Sequence, residues 1–321
     1  MLKDRIFPNI SQLFHQLIAI KDTLPCSFHW PHVSPLTKRK WLETLSVERI
    51  EAKTAKLREH FLLMKGDWEQ LAFQQLAYNI GLRINTEPFL QVARSIDIKK
   101  LQRLQNLFQI EAILFGQANL LGDEDESITD EYQLQLKKEY IFHKQKHNLT
   151  PIPKGQWRYM RMRPSGFPEK RMAALAGFIF QTEHLKSKLL TLNSKTELNA
   201  FFDIRTSLYW KNHYRFGKKT KQNRSAAGMD LIQRIAINFV IPFQFLFSEI
   251  NHLPDIKARA IELLNDLDVE DNILIRNWRK MGIIPVSAAE SQSLIHLKNE
   301  YCDKRRCLNC SIGHAILRGN A

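Results

Sequence analysis

The chain has 321 residues, 44% hydrophobic and 25% charged, with 47 Lys and Arg against 33 Asp and Glu for a formal net charge of +14. That length suits one large domain or two ordinary ones, and the balance is the usual one for a soluble globular protein. No signal peptide opens the sequence, and the longest apolar run, IAINFVIPFQFLF (235–247), is broken by Asn238, Pro242 and Gln244 and falls short of the roughly 20 residues a bilayer needs, so the expectation is a cytoplasmic protein with no membrane partner.

Helical periodicity runs through most of the chain. SPLTKRKWLETLSVERIEAKTAKLREHFLLMK (34–65) opens on Ser-Pro, and Trp41, Leu45, Ile50, Leu57, Phe61 and Met64 recur among charges, which predicts one long helix. In GDWEQLAFQQLAYNIGL (66–82) Asp67 is the expected N-cap, Trp68, Leu71, Leu76 and Ile80 lie close to one face, and Gly81 ends the helix. Further helices are expected over 87–95, 97–120, 129–147, 168–191, 195–203, 228–251, 255–265, 270–281 and 288–302. Two short stretches read as extended, WRYMRMRP (157–164) and YWKNHYRFG (209–217). No solenoid-period repeat and no low-complexity linker interrupts them. The expected fold is mainly α: a multi-helix globular array with irregular basic loops and a C-terminal cysteine knuckle. Composition divides it into an N-terminal helical block (1–121), an acidic loop and connecting helix (122–150), a basic aromatic loop region (151–225) and a C-terminal helical block with the cysteines (226–321), which together can form one continuous domain.

The positive charge is unevenly placed. Residues 151–224 hold 16 Lys and Arg against Glu169, Glu183, Glu197 and Asp203, a net +12, whereas GDEDESITDEY (122–132) holds six acids and no base. A basic band suits a phosphate backbone, since each Lys or Arg that meets a phosphate releases condensed counterions. The plainer alternative is a solvated basic face that aids solubility. Within the band, WRYMRMRPSGFPEKR (157–171) mixes Arg158, Arg161 and Arg163 with Trp157 and Tyr159, and YWKNHYRFGKKTKQNR (209–224) mixes Lys218, Lys219 and Lys221 with Tyr214 and Phe216. The cations are candidates for phosphates. The rings either stack on exposed bases or hold the loops down while the bases reach outward.

Three of the four cysteines fall within YCDKRRCLNCSIGHAIL (301–317), as Cys302, Cys307 and Cys310 in a C-x4-C-x2-C pattern. A C-x2-C turn can aim both sulfurs at one point, about 2.3 Å from a zinc ion. The fourth ligand is either Cys26, in TLPCSFHW, or His314. Four thiolates suit zinc or an iron–sulfur cluster, and three with an imidazole lean to zinc. Lys304, Arg305 and Arg306 would offset the negative charge of such a site. Unliganded thiols or a redox pair Cys307–Cys310 are the alternatives. With Cys26 as ligand, the metal would tie the first thirty residues to the last twenty.

No catalytic signature is complete. FGKKT lacks the preceding glycine of a P-loop, and G-x-S-x-G and H-E-x-x-H are absent. Asp67 with Glu69 is the most suggestive acid pair, but a helix cap explains Asp67 better, and His29 and His32 read as ordinary surface residues. A metal-dependent nuclease would need clustered carboxylates near the basic loops, with Glu87, Glu111 and Glu139 the acids to inspect. A protein-interaction scaffold using the acidic loop 123–131 is a third reading.

Taken together, GDWEQLAFQQLAYNIG, QIEAILFGQANLL, WRYMRMRPSGFPEKR, YWKNHYRFGK and YCDKRRCLNCSIG resemble the bacterial domain-of-unknown-function family 2851 over nearly the whole chain. The resemblance assigns no residue a role. It implies longer members with an amino-terminal block similar to restriction-like nucleases, a block this chain would lack. One distant cysteine with three C-terminal ones is similar in arrangement to iron–sulfur nucleases, an analogy only. The expected function is therefore a DNA- or RNA-binding helical module with a structural zinc or iron–sulfur site.

Overall fold

The computed structural model describes residues 12, 14–15, 26–122, 130–160, 163–220 and 228–318. The protein is mainly α, with one two-stranded hairpin among the described residues. It divides into two compact units, Met1–Ala55 with Ala258–Ala321, and Lys56–Lys257. The first long helix, α1 (Pro35–Leu63), contributes residues to both.

In the second unit α2 (Trp68–Ile80) starts where Asp67 accepts the Gln70 amide, a side-chain cap for a donor that would otherwise lack a partner. It buries Leu71, Phe73, Leu76 and Ile80. Helix α3 (Leu82–Arg94) begins five residues earlier than the sequence suggests and accommodates Pro88 through a kink at Asn85. The single helix expected over 97–120 is two, α4 (Ile98–Gln102) and α5 (Leu107–Gln117), because Asn106 caps a fresh start on the Phe108 amide. Helix α6 (Glu131–His147) packs on α5 so closely that a Cβ on Gly116 would lie 2.1 Å from the Tyr140 ring.

The expected helix 168–191 is also split, into α7 (Pro168–Gln181) and α8 (Leu185–Thr191), with extended backbone at Thr182 between them. After α9 (Lys195–Phe201), the stretch read as extended from 209 begins inside the helix α10 (Leu208–Asn212); β1 (His213–Arg215) and β2 (Lys218–Lys219) pair, around a left-handed Gly217. The stretch 157–164 forms no strand among its described residues.

One helix, Met229–Asn251, is long and apolar enough to cross a membrane, and 78% of its most apolar window is buried in the protein. It comprises α11 (Met229–Ile235), a wider π-turn (Ala236–Val240) and α12 (Ile241–Asn251). Pro242 lacks an amide for the helix ladder, and the wide turn ahead of it absorbs the mismatch. Fully buried Phe73, Phe89, Phe115, Phe178, Phe202, Trp210, Phe239, Phe243 and Phe245 fill this unit's core.

The first unit is built from both ends of the sequence. Its later elements are α13 (Pro254–Asp266) from Ala258 onward, α14 (Ile273–Lys280, capped by Asn272), α15 (Ala288–His296, capped by Ser287) and α16 (Ser311–Leu317). The expected helix 288–302 changes character at its end, where Leu297–Cys302 widens into a π-turn. Trp30, Trp41, Leu45, Trp278, Leu294 and Ile312 make one apolar cluster, with Trp30 and Trp278 rings 5.8 Å apart. Beside it Gln292 accepts from Arg49 and, at 2.8 Å, from Lys53, and donates to Glu270. Burial first, and Arg49 second, pull the Lys53 ammonium down to about 7.

Candidate functional sites

The cysteine cluster lies in the first unit. Cys26 opens a tight turn, accepting the His29 amide at 3.1 Å and the Trp30 amide at 3.0 Å, and the turn delivers Trp30 to the core. Cys302 ends the π-turn; its carbonyl accepts the amide of Arg305, which takes the left-handed conformation (φ 52°). Arg306 then bonds the Tyr301 carbonyl at 2.8 Å, and one 3-10 turn, Cys307–Asn309, leads to Cys310.

Cys310 is buried in the apolar cluster, with Cys26 and Cys302 packed against it. A side chain cannot replace Gly313: its Cβ would meet the Cys307 carbonyl oxygen at 2.3 Å. Burial raises the Cys310 thiol, and the Gly313 and Ile312 amides offset part of that rise. Burial, then repulsion from the Cys310 and Cys307 thiolates, pushes Cys26 up to about 12. Cys302 is raised further by burial and then by all three other thiolates. His314 stands exposed on α16, whereas Cys26 is near enough to Cys310 and Cys307 for their charges to raise it further. Among the described residues no three His, Cys, Asp or Glu side chains are grouped closely enough to hold a metal ion.

The basic loops lie in the second unit. Arg158 is held by its backbone: buried Asn85 accepts its amide at 3.0 Å and donates to its carbonyl at 2.9 Å, leaving the guanidinium side exposed. Trp157 donates its indole N–H to the Ala118 carbonyl at 2.7 Å and packs edge-on against Phe89. Arg163, Lys218 and Lys219 are exposed. Arg161 and Lys221 lie outside the described residues. Two cations of the basic band point inward instead: Lys170 donates to the Trp210 carbonyl, and Arg171 is buried.

One carboxylate joins the two loops. Glu169, in the first turn of α7 and 3% exposed, accepts the Tyr159 hydroxyl at 2.9 Å and Arg215 Nε at 3.0 Å. The Arg215 guanidinium also lies 4.4 Å from the Tyr159 ring centre. Phe167 continues the contact, edge-on to Tyr159 and to Tyr214. Phe216 packs against Phe115 and Trp210. Burial raises Glu169, while Arg215 and Tyr159 hold it back.

The hairpin has a second anchor. Asp130 Oδ2 accepts the Tyr209 hydroxyl at 2.6 Å and the Gly217 amide at 2.9 Å, and Oδ1 caps α6. Burial would raise Asp130, yet these bonds leave it below the usual carboxylate range. Tyr209 stacks between Tyr132 and His213, at 4.4 and 3.9 Å.

The three acids singled out for cleavage are each engaged separately. Glu87 pairs with Arg94 on the surface, Glu139 meets Gln109 and His143, and Glu111 is fully buried under Tyr132. Burial pushes Glu111 up to about 7 against hydrogen bonds from Tyr132 and Ser207. The sequence reading missed Asn85, Asp130 and Glu169, each of which has a partner 46 to 87 positions away. Two carried a local signal: Asp130 as an N-cap, and Glu169 as an acid just after the helix-opening Pro168.

No match is found among curated proteins, and none among solved structures. A family model does match, over a span that includes Cys26 and both basic loops but stops short of the cysteine trio. With residues 1–273 matched, the chain belongs to the family described as "Protein of unknown function (DUF2851)".

Proposed function

We propose that the protein binds the phosphate backbone of DNA or RNA through Arg158, Arg163, Lys218 and Lys219, together with Arg161 and Lys221 of the same basic sequence segments. The observation that carries this reading is the Glu169 clamp: two basic segments far apart in sequence share one buried carboxylate, so their exposed cations belong to one pinned arrangement. Trp157, Tyr159, Tyr214 and Phe216 all have ring or hydrogen-bond partners within the protein. That favours their role as loop supports over base stacking, and favours binding without sequence preference. The experiment is titration of single-stranded and duplex DNA and RNA at increasing salt. Lys218→Glu with Lys219→Glu should leave stability unchanged and reduce the salt slope by about 2. Indifference to every polymer at low salt ends this reading.

In the first unit we propose that Cys26, Cys302, Cys307 and Cys310 hold a structural metal centre. Its support is that Cys310 is buried in one apolar cluster, Cys26 and Cys302 pack against that cluster, and Gly313 lies against the Cys307 backbone. Metal analysis of the purified chain tests it; a folded chain free of metal refutes it.

A further inference from the structure

We infer that Arg215 and Lys218 form a two-cation seat for a single backbone phosphate of DNA or RNA, with Arg215 as its anchor, an inference that rests on the nucleic-acid reading above. The two residues are partners in the hairpin register, on either side of Phe216 and Gly217. Side chains directly opposite in an antiparallel pair share a face, with Cβ atoms about 4.5–5.5 Å apart. Both residues are exposed. Like charges in that relation weaken a hairpin, and strands of three and two residues have little stability of their own. The fold anchors the hairpin by other means, through Asp130 on the Gly217 amide and Glu169 on Arg215. Neither anchor needs a second cation opposite Arg215, and an anion between the two would remove their repulsion.

Arg215 is already shaped for that anion. Its Nε donates to Glu169 at 3.0 Å, and its guanidinium lies 4.4 Å from the centre of the Tyr159 ring. Tyr159 is itself fixed, by its hydroxyl on Glu169 at 2.9 Å and by Phe167 edge-on to it. Glu169 belongs to the first turn of α7, so a helix supports the whole arrangement. Nε is the donor that Arg215 gives to another described residue, and the N–H groups of both Nη atoms remain for a ligand. The side chain is 46% exposed, which leaves them within reach. A planar fork of this kind fits two oxygens of one phosphate, and a guanidinium ordered beforehand loses little rotamer freedom on binding. Lys218 adds a second charge and Lys219 follows it along the strand. With cations in succession, the face suits a chain of phosphates better than one isolated carboxylate.

The test is a double-mutant cycle in the full chain, titrating short single-stranded and duplex DNA and RNA at several salt concentrations. Arg215→Lys keeps the charge and loses the fork, so it should weaken binding about tenfold with the salt slope unchanged. Lys218→Gln should lower the slope by about 1. Because both groups grip one phosphate, the double variant should lose clearly less than the product of the two single effects. Single effects that simply multiply overturn the seat, as does wild-type binding by Arg215→Lys, and both leave the wider nucleic-acid reading standing. Hydrogen exchange at 213–219 separates a seat from a strut: Arg215→Lys should match the wild type there, and loosening in step with weaker binding overturns the seat. An oligoglutamate of equal charge that competes as well as DNA overturns the choice of phosphate. Arg215-dependent binding of inorganic phosphate without binding of any polymer overturns both this seat and the nucleic-acid reading, as does indifference to every polymer at low salt.

Discussion

The two units face opposite construction problems. Lys56–Lys257 is continuous in sequence and carries a core of fully buried aromatic rings, so its long connections can be pinned one at a time by Asn85, Asp130 and Glu169. The other unit joins Met1–Ala55 to Ala258–Ala321, and must bring together segments separated by the whole of its neighbour. Bringing distant segments together costs loop-closure entropy, which rises with the logarithm of separation, and a clip across the longest loop recovers most of it. Cys26 and the terminal trio sit where such a clip acts. Polar clamps suffice inside a dense core; a discontinuous unit gains more from a strong cross-link.

Metal removal should expose this difference most clearly. If the proposed centre holds a metal, stripping it, or replacing Cys310 with Ser, should cost the first unit on the order of several kcal/mol. Hydrogen exchange should then rise across α14–α16 while α2–α12 keep their protection. Equal loosening of both units would erase the contrast. Next in size is Gly313→Ala, whose Cβ must displace the Cys307 carbonyl; overpacking of this kind costs about 1–3 kcal/mol. It should lower metal content in the same preparation.

In the second unit Glu169→Ala leaves the Tyr159 hydroxyl and Arg215 without their acceptor. Arg215 is half exposed, so most of a loss of about 1–2 kcal/mol comes from Tyr159. Exchange should rise at 157–160 and 213–219, and polymer binding should weaken although no phosphate-facing cation has been removed. Unchanged loops would show that the clamp does not organise the face.

The two units should also differ in their pH response. Glu111 titrates near 7 when folded and 4.5 when not, so its contribution is full below pH 4.5 and is lost as pH rises through about 7. Lys53 titrates near 7 when folded and 10.5 when not, so its contribution is present above pH 10.5 and is lost as pH falls through about 7. The second unit should therefore weaken from pH 5 to 7, and the first should strengthen from pH 7 to 9. Glu111→Gln and Lys53→Met should flatten the respective slopes in unfolding curves.

Much of the helical content is legible from spacing alone. Asp67 caps α2 where it is expected, and Trp41, Leu45, Ile50, Leu57 and Phe61 are all buried along α1. Breaks were harder to see. The chain stops at 103–106 and at 182–184 although apolar residues continue in step on either side, because Asn106 and the extended Thr182 act locally while periodicity averages over several turns. The stretch at 209–217 misleads for a related reason: Leu208–Asn212 is rich in aromatic residues that suit strands, yet Trp210 is fully buried as part of a helix.

By itself, then, the sequence determined the mainly helical architecture, the placement of positive charge in one band and the collection of three thiols near the end. Those follow from local pattern, which needs no knowledge of what lies opposite. Only the tertiary structure decided which cations face outward, that Lys170 and Arg171 turn inward, that Glu169 and Asp130 anchor the hairpin, and how Cys26 stands to its three counterparts. Each of these is a relation between residues tens to hundreds of positions apart, and it is set by packing around a shared core.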